Sequence, residues 1–345
     1  MLERTQLLQL MKNVARANPS STYSVNGEQL SYTAMNETLR NELNELVGTE
    51  ELYELNKRQV FSLIAQTMDE IVPNRLINAY GQFAEIKQFA QGDRPVFVRR
   101  TGTTRAKQFV THAGLAGVYE VFKLGQESFE VGTSAMGAAA QIGFEEYLDG
   151  RVDFAELTQI IMDGMDELIY REIAAALQGA INQLPTANKF TSNGFSEAGL
   201  DYLVNTASAY GKPVIYCTRE FAVKIVPDTG WISDNMKDQM WNTGYLANYK
   251  GTQVVILPQT LEDESNTTKM IDPSYAWIIP AGTNNKPVKV AFEGTTHVRE
   301  RNDNDDWSRD IQVYRKVGVG VMMTNNIFSY VDTSLAGLDN TKPKG

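Results

Sequence analysis

The 345-residue chain is poor in the residues from which most recognisable sites are built. Cys217 is the only cysteine, which excludes a disulfide framework and any paired-cysteine metal site. With His112 and His297 as the only histidines, a poly-histidine metal centre is excluded and little remains for histidine acid–base chemistry. Basic residues do not dominate: 32 Lys and Arg face 42 Asp and Glu, for a net charge of −10. That balance argues against a protein that reads nucleic acid through a positive surface. No run approaches the roughly 18 apolar residues of a membrane span, so no membrane partner is expected. The opening MLERTQLLQLMKNVARANPSS lacks the layout of a secretory signal, and the chain reads as soluble. At 42% hydrophobic residues it is nonetheless rich enough to bury a large core, in two domains or in one with large excursions.

No GxxxxGK[ST], GxSxG, HExxH or CxxC motif occurs. NDNDDW at 302–307 clusters Asp303, Asp305 and Asp306. Counted from Asp303, however, an EF-hand would need Gly and Glu where Ser308 and Tyr314 stand. An acidic turn between strands is the better reading. GVGVMM at 318–323 has alternating glycines but lies in a strand run without the helix that a dinucleotide site requires. Cys217 closes the apolar strand KPVIYC and reads as a core thiol. Trp231, Trp241, Trp277 and Trp307 are spaced as core or interface anchors. No catalytic residue, cofactor or metal is expected, and the chain does not read as an enzyme.

The N-terminal part reads as helical. Leu7, Leu10, Met11 and Val14 form one stripe, and Met35, Leu39, Leu43 and Leu46 a second that ends at Gly48. A third helix from Thr49 is expected to end at Pro73, with a fourth carrying Ile77, Tyr80, Phe83, Ile86 and Phe89. From residue 93 the chain turns β-prone and basic. GVYEVFKLG and SFEVGTSAMG are expected as two strands joined at Gly125–Gln126, within an excursion over 93–135 that is too short of apolar residues for its own core. Asp153 and Glu156 resemble a capping box that opens a helix to Leu184, roughly 45 Å long and ended by Pro185. Residues 195–282 alternate helices and strands, and strands dominate thereafter. The fold class is α+β.

Charge is unevenly placed. Residues 94–123 hold Arg94, Arg99, Arg100, Arg105, Lys107 and Lys123 against Glu120, a net of +5. Residues 126–172 carry a net of −9, through Glu145, Glu146, Asp149, Asp163, Asp166 and Glu167 among others. The two segments could neutralise each other within one molecule. Alternatively the basic arm of one copy lies on the acidic face of the next, and head-to-tail contacts of that kind build rings, filaments or shells.

This order of parts resembles the major capsid protein of tailed phages, the Hong Kong 97-like fold. The resemblance covers nearly the whole chain and includes GKPVIYCTREFAVKI, GTQVVILP and VGVGVMMTNNIFSYVD. It implies a helical N-terminal arm at 1–92, an E-loop at 93–135, and a peripheral domain with its spine helix at 136–192. An axial domain would follow at 193–287, then peripheral strands, the return to the core and the tail at 288–345. The implied function is a structural subunit that self-assembles, through hexamers and pentamers, into an icosahedral head. Double-stranded DNA would be enclosed without sequence-specific binding, and portal, scaffolding or decoration proteins would be partners. The implied location is the virion, after assembly in the host cytoplasm. The shortness of the arm, 1–92, carries the expectation of a separately supplied scaffold. Some relatives form Lys–Asn cross-links near the E-loop, and no residue set here is matched to that chemistry. An encapsulin-type nanocompartment shell shares the fold and is the alternative function. An α+β enzyme with an unrecognised site is a third reading.

Overall fold

In a computed structural model the described residues are 3–16, 22–25, 28–81, 83–101, 125–142, 154–226, 234–281, 286–301, 309–322 and 326–337. NDNDDW, His112, Trp231, Trp307 and the expected Asp153–Glu156 cap lie wholly or partly outside them. Helix α1 (Arg4–Arg16) leads to a small hairpin, β1 (Thr22–Val25) and β2 (Glu28–Ser31), and then to α2 (Tyr32–Val47).

Helix α3 (Glu50–Tyr80) is 31 residues long, about 46 Å, and is capped by the Thr49 hydroxyl accepting from the Leu52 amide. Pro73 does not end it. A mid-helix proline frees the carbonyl four residues earlier, here that of Asp69, and the Gln88 side-chain amide donates to this oxygen at 3.5 Å. The expected fourth helix is absent. Ile77 and Tyr80 belong to α3, and Ile86 and Phe89 to strand β3 (Ala84–Phe89).

Strands β4 (Val96–Thr101) and β5 (Gly125–Glu130) form an antiparallel ribbon, with Arg99 opposite Glu127 and Arg100 opposite Gln126. The expected join at Gly125–Gln126 lies inside β5. The break comes at residues 131–133, before β6 (Ser134–Ile142). Helix α4 (Phe154–Ala180) ends in a 3-10 turn (Ile181–Gln183) ahead of Pro185, so its α-helical part is about 40 Å long.

The next region contains β7 (Lys189–Ser192), α5 (Glu197–Ser208), β8 (Lys212–Cys217), α6 (Arg219–Lys224), α7 (Asp234–Thr243), β9 (Asn248–Tyr249), β10 (Thr252–Ile256) and β11 (Tyr275–Ala281). Two long strands, β12 (Val288–Arg301) and β13 (Arg309–Val321), precede β14 (Phe328–Asp332).

Two sheets organise these parts. One runs β7-β14-β11-β8-β10-β9 and the other β3-β12-β13-β6. In β8 the pleat splits the cores: Val214 and Tyr216 join the large core with α1–α4, whereas Ile215 and Cys217 join a second core under α5 and α6. Cys217 is fully buried, and burial holds its thiol well above the ordinary range, so it packs as an apolar residue. Trp277 is buried, while Trp241 is 91% exposed. None of the helices among the described residues is long and apolar enough to cross a membrane, and no cluster of potential metal ligands occurs there.

Candidate functional site

The β4–β5 ribbon needs a support, because an isolated two-stranded hairpin is marginal in water. Its base rests on the four-stranded sheet. Phe97 is fully buried in a small cluster with Val131, Ala291 and Met322, and its ring meets that of Phe89 edge-on at 5.6 Å between centroids. Burial of such a side chain is worth about 1.5–3 kcal/mol. Its neighbours Val96 and Val98 point the other way and are 37% and 49% exposed. Beneath Phe97 lies Lys289, only 1% exposed, whose ammonium pairs with Glu85 and sits 5.6 Å from the Phe97 ring centre. Burial opposes ionisation of Glu85, but the ammonium groups of Lys289 and Lys87 outweigh it and hold the carboxyl below its ordinary value.

One carboxylate closes the base of the ribbon, where the chain enters and leaves it. Glu293 accepts from the Gly92 amide at 3.0 Å, just before β4, and from the Thr133 hydroxyl, just after β5. Lys316 on β13 adds an ion pair at 2.9 Å. The Thr133 hydroxyl, then Lys316 and the Gly92 amide, lower the Glu293 carboxyl to about 2. Its stabilising effect is therefore complete above the ordinary carboxylate range and is lost as pH falls toward about 2. Glu293→Gln is expected to flatten this acid limb of the unfolding curve. An unchanged limb in acid titration followed by circular dichroism would contradict the clamp. Next to it, Gly294 adopts φ 71° at the bulge where the β12–β13 register shifts, a conformation that suits glycine.

The alternating glycines of GVGVMM have their role here. A Cβ on Gly318 would overlap the carbonyl oxygen of Gly132, and one on Gly320 would lie 2.9 Å from the Phe129 ring. Together they form a bare track on β13 along which the chain leaves the ribbon. Gly318→Val should force that segment off the track, at about 1–3 kcal/mol, read as a lowered thermal midpoint. A variant as stable as the parent would show the contact to be slack.

The residues expected for inter-subunit contact are placed unevenly. Arg94 is exposed before β4, and Arg99 and Arg100 lie on β4. Arg105, Lys107, Lys123, Glu145, Glu146 and Asp149 fall outside the described residues. Asp163, Asp166 and Glu167 share one stretch of α4. Asp166 corrects the expectation of an exposed acidic face: it is 5% exposed and pairs with Arg75 of α3 at 3.1 Å. Asp163 pairs with the same guanidinium at 2.5 Å but keeps 58% of its side chain exposed. Arg75 also donates to the Ala15 carbonyl at 3.2 Å, so it links α1, α3 and α4. The clamp and the glycine track were missed in the sequence, where Gly92, Thr133, Glu293 and Lys316 stand far apart; the alternating glycines were the one visible signal.

A family model described as "SPbeta prophage-derived putative capsid protein YonB" matches residues 6–332. The chain belongs to this family of capsid proteins. No curated protein matches the sequence. Among solved structures, the acidic stable capsid of Helicobacter pylori bacteriophage KHP30 is similar at TM-score 0.50 and 12% identity, over 74% of this chain and 90% of that one. The mature capsid of bacteriophage PhiM1 gives 0.49 at 8% identity, over 74% and 86%. The holo-SrpI encapsulin complex from Synechococcus elongatus gives 0.47 at 10% identity, over 79% and 92%. The capsid protein thus has the Hong Kong 97-like fold that its order of parts resembles, and it is a shell-forming subunit of the phage head. Its place is the virion, and its role there is structural.

Proposed function

We propose that copies of this capsid protein close into hexamers and pentamers of an icosahedral head that encloses double-stranded DNA, with segment 93–135 reaching to a neighbouring copy as the E-loop. The observation that carries this reading is the ribbon's base. Glu293 ties the incoming and outgoing chain together there, while the outer faces of Val96 and Val98 are left to solvent. A lone subunit has little use for so firmly anchored a ribbon, and a shell has a direct one. In this reading α1–α3 form the N-terminal arm, α4 is the spine helix, the six-stranded sheet is the axial domain, and β12–β13 belong to the peripheral domain.

Charge supports the same reading. Residues 94–123 carry +5, which leaves −15 on the remainder of the chain. The genome is held by enclosure rather than by a basic lining, and scaffold, portal and decoration proteins act alongside, after assembly in the host cytoplasm. Neutralising Arg99, Arg100 and Arg105 together is expected to weaken capsomer assembly, seen by electron microscopy and sedimentation, with the thermal transition of the subunit nearly unchanged. Full assembly of that variant would remove the arm from the contact, and loss of the fold would place it in the core instead.

A further inference from the structure

A cavity of about 670 Å³ opens where α3 and α4 meet the loop that follows β10. Its polar side is formed by Arg75, Asp163, Asp166 and Glu167, and its apolar side includes Tyr170 and Met270. Arg75, which pairs with both Asp163 and Asp166, stands with three carboxylates including Glu167 in this lining, for a net of −2. Asp166 is buried, and its second oxygen, Oδ1, has no hydrogen-bond partner among the described residues. Burial, only partly offset by Arg75, pushes its carboxyl up to about 6. Arg171, one turn along α4 from Glu167, pairs with Glu262 at 3.1 Å. A carboxylate held this way is stabilised by any further cation that enters.

We propose that this cavity receives a lysine or arginine from the basic segment 94–123 of a second copy of the chain. The inference rests on the arm reading above and gives it an address. The head group would sit between Asp163 and Glu167 at the cavity mouth, screening Asp166 behind them. The aliphatic stem would lie along Tyr170 and Met270, as long cationic side chains do on apolar surface. The donor segment carries +5 and the seat −2, so the pair is complementary. Arm and seat are different surfaces of the molecule, so the contact is heterologous and repeats around a ring.

Zero-length carbodiimide coupling tests this on the unaltered protein, because Lys107 and Lys123 lie in the donor segment. Particles assembled from a mixture of isotopically light and heavy chains are coupled, digested and read by mass spectrometry. Mixed-label peptides joining Lys107 or Lys123 to Asp163 or Glu167 are the expected result. If only same-label pairs form, the seat takes its own arm and the proposal falls. Coupling between copies at Glu145, Glu146 or Asp149 alone would overturn the seat and leave the arm reading intact. Particles with no coupling from the segment to any carboxylate of another copy, together with parent-level assembly of the variant below, would overturn both.

A second variant covers the case in which arginines alone fill the seat. Asp163→Asn with Glu167→Gln leaves Asp166 to hold Arg75, so the subunit should keep its thermal midpoint. Its assembled fraction should drop about tenfold at low salt, corresponding to about 1.4 kcal/mol. Assembly at the parent level would overturn the proposal.

Discussion

Replacing Asp69 by alanine is expected to lower stability by about 3–5 kcal/mol, the range seen when a buried charge loses its partner. Asp69 stands on α3 and faces the four-stranded sheet. It accepts from the Thr296 amide at 2.8 Å and from the Thr296 hydroxyl at 2.6 Å. It is also the partner of Arg315, 3.4 Å away, a side chain that is 1% exposed and lies 4.3 Å from the Phe292 ring centre. Arg315 is poorly provided for: its Nε and Nη1 have no hydrogen-bond partner among the described residues, and burial holds its basicity below the ordinary value. Without Asp69 that cation would face an apolar interior alone.

The double variant Asp69→Ala with Arg315→Met should recover a large part of the loss, because an apolar side chain of similar length tolerates the site better than an unpaired guanidinium. Denaturant unfolding reads both variants. A cost below about 1 kcal/mol for the single variant, or no recovery in the double, would mean that solvent reaches Arg315.

Met165→Pro in α4 should abolish folding altogether. Proline in a helix interior costs ~3 kcal/mol or more through the lost hydrogen bond and the ring clash. Here it would also displace Met165, which is 3% exposed, and free the carbonyl of Ile161, itself 5% exposed. The same chain carries Pro73 inside α3, where Gln88 meets the freed carbonyl. At Ile161 the surroundings are the apolar residues of the main core, and a freed carbonyl there goes unanswered. Met165→Leu is the control and should cost less than 1.5 kcal/mol. Soluble Met165→Pro protein that still forms particles would show that α4 is no structural beam.

These two sites also mark what the sequence can and cannot disclose. Helices α2 and α4 were legible because one apolar face recurs along each, and the order of parts was enough to place the chain in its fold. Pro73 misled because the donor that rescues its helix comes from a different element, 15 residues further on. Strand β3 carries a helix-like signal because Phe83, Ile86 and Phe89 fall three apart. It pairs in parallel with β12, whose partners arrive some 200 residues later. The clamp at Glu293 left no trace at all, since each of its hydrogen bonds joins residues distant in sequence. Asp166 looked like one more surface acid in a helix rich in them, and only the approach of α3 reveals its burial.

The bulge in β12 has a mechanical consequence. Glu293, which holds the ribbon, and Thr296, which holds α3 through Asp69, are three residues apart on one strand, about 10 Å. Force applied to the β4–β5 ribbon therefore meets the longest helix of the described residues after a very short lever. A load on the ribbon would thus pass into α3 through this joint, much as a bracket passes the weight of a shelf directly into the stud behind it.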